Sequence, residues 1–279
     1  MSTLLLVVGV VVGLAYIFRH VVVKGKRCTS KTKLHGKTVI VTGSNTGIGK
    51  TTAIDLAKRG ARVILACRSK QRGEEALEEI KKESGSNQVV FMPLDLGSLK
   101  SVRSFAETFL KSEPRLDLLI NNAGVVLQGR TEDGLGMMFG VNHIGHFLLT
   151  NLLLDRLKEC EPSRVVTVSS MAHNFGKIDF DCLNSHKALG LGNSSMEVFK
   201  VYADSKLCNM FMKPVTAFFF KDSVQGAQTT LHCAVEEGIE PLNGRYFSNC
   251  TVREVYAKAK DDAAAKKLWE LSERLSGLA

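Results

Sequence analysis

Closely spaced cysteines are missing from this sequence. Its seven cysteines include no C-x-x-C pair and their total is odd, which gives little support to a disulfide framework or a zinc site. We therefore expect reduced, mostly buried cysteines and a domain that faces a reducing compartment. The chain also lacks internal repeats, low-complexity tracts and dividing linkers. Roughly 240 residues follow its apolar N-terminus, and that length fits one globular domain.

Acidic residues are absent from one strongly basic stretch near the N-terminus. It holds seven of the cations behind the formal net charge of +9, namely Arg19, Lys24, Lys26, Arg27, Lys31, Lys33 and Lys37. The rest of the chain is therefore only about +2, whereas nucleic-acid binding needs a basic face on the folded domain. We expect no nucleic-acid partner.

The N-terminus is almost entirely apolar from residue 4 to residue 18 and again at residues 21–23. As a helix, residues 1–23 would rise about 34 Å, enough to cross a hydrocarbon core if Arg19 reaches the interface. No basic residue precedes the run and no small-residue cleavage site ends it, so an uncleaved anchor is favoured over a secretory signal. A monotopic or interfacial segment is the alternative. The positive-inside rule then places the basic segment 24–36 and the domain 37–279 in the cytosol.

Short β-branched runs alternate with amphipathic stretches from residue 36 onward. This pattern is typical of βαβ units around a parallel sheet. It predicts an α/β fold, a single doubly wound parallel-sheet (Rossmann) domain, with strands at 37–42, 61–67, 88–94, 116–121 and 164–169. Three predicted helices cover 71–84, 98–112 and 137–157. A further helix precedes the second strand and ends at residue 60.

A glycine-rich loop follows the first predicted strand and opens a helix. Such a loop can bring backbone N–H groups against a pyrophosphate at the helix N-terminus. The predicted cofactor-binding residues are Gly43, Ser44, Asn45, Thr46, Gly47, Ile48 and Gly49. A phosphate-binding loop of the G-x-x-x-x-G-K-T type is the competitor, but Ser44 stands at its first glycine and the later motifs reject it.

The end of the second predicted strand carries a cation and no acid. An acid there would accept from the ribose 2′-hydroxyl, whereas a cation suits a 2′-phosphate. Arg68 occupies the position, so we expect selection of NADP; a solvated strand-end arginine is the alternative. Asp95, after the third strand, is predicted to lie beside the adenine, with a helix N-cap as its plainer role.

The fourth predicted strand ends in a tight turn of small residues. Asn122, Ala123 and Gly124 would let the backbone pass beneath the cofactor ribose. On the following helix, Asn142 places an amide on an apolar face, where a buried amide needs a partner such as a water leading to Lys206.

Two histidines flank this asparagine. His143 and His146 are spaced i and i+3 with no acid nearby, so we expect no metal site and interpret them as helix-surface or substrate-lining residues.

Three side chains then form a carbonyl reductase site. Ser170 would hydrogen-bond the substrate carbonyl, Tyr202 would protonate it, and Lys206 would lower the pKa of Tyr202 while holding the nicotinamide ribose. Each group would stabilise charge that develops on oxygen as hydride reaches carbon. The predicted catalytic residues are Asn142, Ser170, Tyr202 and Lys206.

This ordered set of motifs resembles the short-chain dehydrogenase/reductase family over residues 36–206. Cys67-Arg68, residues 141–150 and 164–170, and the long interval from Ser170 to Tyr202 are similar to the retinol dehydrogenase branch. The resemblance implies an NADP-linked oxidoreductase that acts on retinoids or other lipid aldehydes and alcohols, anchored to the endoplasmic reticulum. Helices near Asn142 and Tyr202 could form a homodimer contact.

The chain departs from this pattern after Lys206. Relatives spend about 35 more residues there, roughly one βα unit, and Pro214 should end the Tyr202 helix near residue 212. The missing stretch would hold a sixth strand and the Pro-Gly turn over the nicotinamide. We therefore expect a domain shortened after residue 212, with a catalytically impaired, cofactor-binding or interaction protein as the alternative function. Phe218, Phe219 and Phe220 would line the lipid site, touch the membrane or form an exposed patch.

Overall fold

The computed structural model describes residues 25–180, 195–211 and 223–279, and the side chains of all but residues 195–197, 210 and 211 within these ranges. The predicted N-terminal anchor lies outside the described residues. The same holds for residues 212–222, which include Pro214 and the three consecutive phenylalanines.

A five-stranded parallel sheet forms the centre of the domain. Its strands are β1 (Thr38–Thr42), β2 (Arg62–Cys67), β3 (Val89–Pro93), β4 (Leu118–Asn121) and β5 (Arg164–Thr167), in the order β3-β2-β1-β4-β5. The predicted doubly wound parallel sheet is confirmed. Within the described ranges no sixth parallel strand follows β5, and β5 is the last strand on that side of the sheet among the described residues.

Helices cover both faces of the sheet. They are α1 (Gly47–Lys58), α2 (Lys70–Ser84), α3 (Leu99–Ser112), α4 (Met137–Glu159), α5 (Ser195–Phe211), α6 (Ser223–Val235) and α7 (Asp262–Ser276). A small antiparallel hairpin joins β6 (Tyr246–Ser248) to β7 (Thr251–Arg253). Side chains of Ser69, Ser98 and Asp261 cap α2, α3 and α7 by accepting from backbone N–H groups, which satisfies donors that a helix start leaves unpaired.

The sheet separates two hydrophobic layers, because alternate side chains of a strand point to opposite faces. Val39 and Val41 pack with α1 and α6 on one face. Ile40 packs on the other face with residues of α3 and α4. Both faces of the parallel sheet are therefore buried, as the near-continuous Val/Ile runs predict.

Helix α4 differs from the regular helix that the sequence predicts over residues 137–157. Its Gly140–Ile144 segment is a π-helix, with α-helical turns before and after it. The wide turn contains Asn142, whose side chain is held by the chain after β4. π-Bulges inside α-helices often occur at functional sites.

Among the described residues, α4 is also the one helix that is long and apolar enough to cross a membrane. Most of it is buried, packed against α3 and the sheet. It is therefore the core helix of the domain.

Candidate active site

A cleft of about 780 Å³ opens at the carboxyl ends of the parallel strands. Open α/β sheets bind ligands at this edge, where the strand order reverses, here between β1 and β4. The cleft brings together most of the residues predicted from the sequence. They are Gly43, Asn45, Thr46, Gly47, Ile48, Gly49, Arg68, Asp95, Asn122, Ala123, Gly124, Ser170, Tyr202 and Lys206.

The glycines after β1 let the loop pack closely and leave space over the start of α1. Gly43 has φ +64°, and a Cβ there would lie 2.9 Å from the Cα of Ala123; a side chain on Gly49 would overlap Gly43 and Asn122. Gly47 also has positive φ, but a Cβ on it would meet nothing within 4 Å. The cradle at the helix N-terminus is thus bare backbone facing the cleft, which fits a pyrophosphate.

One of the predicted cofactor residues takes a different place from the one expected. Ser44 is fully buried with its Oγ 3.4 Å from the Sγ of Cys67, and it does not line the cleft. Asp95 lines the cleft, and its carboxylate accepts from the N–H of Gly97. The plainer helix-cap role for Asp95 was wrong, because Ser98 caps α3 instead.

The hydroxyl of Thr42 organises the turn after β4. It accepts from the N–H groups of Asn122 and Ala123, both at 2.9 Å, and lies 2.9 Å from Nε2 of His146. Nδ1 of His146 faces the carbonyl of Asn142 at 3.3 Å, so Nδ1 carries the proton and Nε2 accepts from Thr42. A neutral imidazole therefore completes the hydrogen bonds of the turn beneath the cleft.

Asn142 is fully buried and its amide has protein partners. Its Oδ1 accepts from the N–H of Val125 at 2.8 Å, and its Nδ2 donates to Val125 O and to Ser205 Oγ. These contacts hold the side chain in place. Asn142 does not line the cleft and fixes the irregular segment that follows Gly124.

The prediction that His143 and His146 lie on the helix surface or line the substrate site was wrong. Both are buried, because α5 and α7 cover His143 and the sheet covers His146. Burial lowers the pKa of His143 to about 4 and that of His146 to about 3. Each imidazole is therefore neutral near pH 7.

Ser170, Tyr202 and Lys206 meet at one end of the cleft. Ser170 follows β5, while Tyr202 and Lys206 lie one turn apart on α5. The Nζ of Lys206 lies 5.8 Å from the Tyr202 ring centre and donates to Val168 O at 3.3 Å. A Cβ at position 124 would lie 3.1 Å from this Nζ. The absence of a side chain on Gly124 therefore leaves space for the ammonium group.

The titration of these groups is governed by burial. Burial raises the pKa of Tyr202, and a hydrogen bond from Ser170 opposes that rise. The predicted lowering of the Tyr202 pKa by Lys206 is not seen. Burial also lowers the pKa of Lys206 to about 8. The reason is desolvation, which disfavours the charged form of each group.

One cation at the cleft was missed by the sequence reasoning. Arg72, on the first turn of α2, lines the cleft together with Arg68, and both are exposed. The signal was its position four residues after Arg68, at the start of a helix that follows the strand end. Within the described ranges, no group of three His, Cys, Asp or Glu side chains is arranged to hold a metal ion.

The sheet order, the glycine cradle and the Ser-Tyr-Lys group together define a dinucleotide-binding oxidoreductase of the α/β class. Comparison with known proteins agrees: the family model for short chain dehydrogenases matches residues 37–188. The chain belongs to the short-chain dehydrogenase/reductase family, in its retinol dehydrogenase branch.

Individual relatives support this assignment. Dehydrogenase/reductase SDR family member 13 from Bos taurus is 45% identical over 318 residues, covering 100% of this chain and 83% of the relative. Retinol dehydrogenase 11 from Homo sapiens is 44% identical, with 90% of this chain and 89% of the relative covered.

Solved structures show the same architecture. An uncharacterized protein from Mycobacterium paratuberculosis is 31% identical with a TM-score of 0.74, covering 91% of this chain and 98% of that chain. A short chain dehydrogenase from Escherichia coli CFT073 complexed with NADPH is 25% identical with a TM-score of 0.51, covering 66% and 71% of the two chains.

Proposed function

We propose that this protein is an NADP(H)-dependent oxidoreductase that moves hydride between nicotinamide and a retinoid or another lipophilic aldehyde or alcohol. The observation that carries the proposal is the meeting of Ser170, Tyr202 and Lys206 at the end of a cleft whose other end is a glycine cradle. The retinol dehydrogenases among its relatives support the substrate class.

Tyr202 acts as the general acid in reduction and the general base in oxidation. The bound nicotinamide supplies or accepts the hydride. Ser170, which hydrogen-bonds the phenol in this structure, turns its single O–H toward the substrate oxygen when substrate binds. Tyr202 then delivers its proton to that oxygen, and the nearby Lys206 ammonium stabilises the phenolate left behind. Asn142 holds the cleft wall through Val125 and Ser205.

NADP is the proposed cofactor because two arginines stand where a 2′-phosphate would lie. Arg68 follows β2 directly and Arg72 lies one turn into α2, both at the cleft. Guanidinium groups bind phosphate oxygens through paired N–H donors. Asn45, Thr46 and Ile48 would contact the diphosphate side of the cofactor, and Asp95 the adenine side.

The domain is proposed to work at a membrane. Residues 1–23 would anchor it in the endoplasmic reticulum, residues 24–36 would form a basic segment beside the bilayer, and the catalytic domain would face the cytosol. A homodimer is the proposed assembly. The supporting observation for the anchor is the apolar run in the sequence.

A second candidate is a shortened chain that binds cofactor without turnover. The alignment with member 13 spans 318 residues although this chain has 279, and no sixth strand follows β5 among the described residues. A sixth strand and its turn normally complete the cofactor site of a doubly wound fold.

The test is binding of NADPH and NADH to the full chain in detergent, followed by retinaldehyde reduction. We expect NADPH-selective binding. Tyr202→Phe should lower turnover by about a hundredfold or more while NADPH still binds, because only the proton donor is lost. Wild-type binding without turnover would support the second candidate, and an active Tyr202→Phe protein would overturn the mechanism.

A further inference from the structure

The loop that carries Ser170 lies directly against helix α5. After β5 the chain forms a short 3₁₀-helix, Met171–Phe175, and then meets α5 at Gly176. Gly176 permits a very close approach, because a Cβ there would lie 2.5 Å from the carbonyl oxygen of Ala203. The backbones of loop and helix are therefore in contact at the residue next to Tyr202.

A buried carboxylate fastens the loop to the same turn of the helix. The Oδ1 of Asp204 accepts from the backbone N–H of Lys177 at 2.6 Å, and Asp204 is only 8% exposed. Burial raises the pKa of Asp204, while this hydrogen bond and the ammonium groups of Lys200 and Lys258 oppose the rise. Hydrogen bonds to an ionised carboxylate are shorter and stronger than those between neutral groups. Asp204 therefore provides a strong attachment point for the loop.

Further contacts hold the loop on both sides. Just before it, the hydroxyl of Ser169 donates to the carbonyl of Lys206 on α5 at 2.8 Å. From the C-terminal part of the chain, the ammonium of Lys258 donates to the carbonyls of Asn174 and Gly176 at 2.6 and 2.8 Å. The loop is therefore fixed to α5 on one side and to the C-terminal part on the other.

We propose that Asp204 is a positioning residue, which holds the loop so that the hydroxyl of Ser170 reaches the phenol of Tyr202. This inference rests on the proposed function, because it assigns a role at the same site. Ser170 lies on the loop and Tyr202 on the helix, so the distance between them depends on how the two elements are fastened. Asp204 does not line the cleft, so it acts through Ser170 rather than on the substrate.

Loss of this attachment should lower turnover without weakening cofactor binding. Asp204→Leu removes the acceptor for the Lys177 N–H, and a misplacement of about 1 Å at the reacting groups can cost about a hundredfold in rate. We expect kcat for retinaldehyde reduction to fall by up to about a hundredfold, while the Kd for NADPH stays the same. Asp204→Asn keeps a carbonyl acceptor and should retain most of the turnover. Asp155→Leu, at an exposed position of α4, is the matched control with unchanged kinetics.

A double-mutant cycle separates positioning from general destabilisation. In a Ser170→Ala protein the hydroxyl to be positioned is already absent, so adding Asp204→Leu should lower kcat by no more than about twofold. Such non-additivity is expected of residues that act as a unit. A loss of equal size in both backgrounds would overturn the proposal, and so would normal turnover by Asp204→Leu itself.

Gly176→Ala provides a second variant if Asp204→Leu does not fold. Its methyl group would lie 2.5 Å from the Ala203 carbonyl oxygen and push the loop away from α5. The same fall in kcat is expected, and it should again nearly disappear in the Ser170→Ala background. Full turnover by a folded Gly176→Ala protein would show that the seating of the loop does not position Ser170.

Titration of Tyr202 tests the positioning even if the chain does not turn over. Burial raises the pKa of this phenol and the hydrogen bond from Ser170 opposes the rise, so Asp204→Leu should raise the pKa further, as Ser170→Ala does. Nuclear magnetic resonance of ring-labelled tyrosine, assigned through Tyr202→Phe, measures the change. A raised pKa in an inactive chain would support positioning and count against the proposed function. An unchanged pKa in Asp204→Leu would overturn positioning whatever the turnover.

Discussion

At the scale of single residues, the most unusual group is the ammonium of Lys206. It is almost completely buried and donates to the carbonyl of Val168. Desolvation disfavours its charged form and lowers its pKa from 10.5 to about 8. The folded protein therefore binds fewer protons at this site than the unfolded chain between pH 8 and 10.5.

This difference predicts a pH-dependent stability. The free energy of unfolding should rise from pH 8 to pH 10.5 by roughly 3 kcal/mol from Lys206, since stability rises with pH where the unfolded state binds more protons. Lys206→Met should remove most of that rise. Urea unfolding of both proteins at several pH values measures it, and parallel profiles for the two proteins would contradict the assignment.

Thr42 is the second residue whose role can be isolated. Its hydroxyl serves two backbone N–H groups and the Nε2 of His146 at once. Thr42→Val keeps the shape but leaves these buried groups without their partner, so we expect a loss of about 2 kcal/mol in stability and weaker NADPH binding. Thr42→Ser retains the hydroxyl and is the matched control. If the valine and serine proteins bind NADPH equally, the hydroxyl does not support the turn.

At the scale of elements, His143 joins three helices. It lies on α4, with Nδ1 3.3 Å from the Asn209 amide of α5 and Nε2 3.0 Å from the Ser272 hydroxyl of α7. Phe139 and Phe147 flank the ring on α4. The junction suits a neutral imidazole, and burial lowers the pKa of His143 from 6.5 to about 4.

The junction should weaken in acid. Between pH 6.5 and 4 the unfolded chain protonates this histidine while the folded protein does not, so stability falls by roughly 3 kcal/mol as pH decreases through that range. His143→Gln should show a shallower fall. His35, which is exposed, provides the matched control substitution His35→Gln. Chemical unfolding monitored at pH 4.5, 5.5 and 6.5 decides between these outcomes.

At the scale of the whole molecule, the segments on either side of residues 212–222 share their cores. Ala227 and Leu231 of α6 and Phe247 of β6 pack in one layer with β1 and α1. Leu268 and Leu271 of α7 pack with Phe139, Ile144 and Cys208. The C-terminal part is therefore integrated with the nucleotide-binding part.

Shared cores predict cooperative unfolding. The fluorescence of Trp269, which packs on Phe147 of α4, and the far-ultraviolet circular dichroism should report the same midpoint, as in a two-state transition. Leu271→Ala should shift both midpoints together, since it removes about 2–5 kcal/mol of buried contact. Two separate midpoints in the wild-type protein would mean that the C-terminal part folds as its own unit.

The sheet, the order of its helices and strands, and most of the residues that meet at the cleft follow from the sequence alone. Strand periodicity fixes which faces are buried, and the carboxyl ends of parallel strands must share one edge. Gly43 to Gly49, Arg68, Asn122 and the Tyr202–Lys206 pair are each local signals at such ends. The spacing of residues within each motif was enough to predict these positions, because each motif lies on a single strand end or helix turn.

The environments of these groups depend on contacts between segments that are distant in the sequence. The burial of His143 and His146 depends on α5, α7 and the sheet, which lie far away in the sequence. Ser44 is buried in contact with Cys67 and does not line the cleft. Burial raises the pKa of Tyr202, although a hydrogen bond from Ser170 opposes the rise. Desolvation and hydrogen-bond partners are set by segments that a local motif does not contain, and they determine how each group titrates and what it can bind.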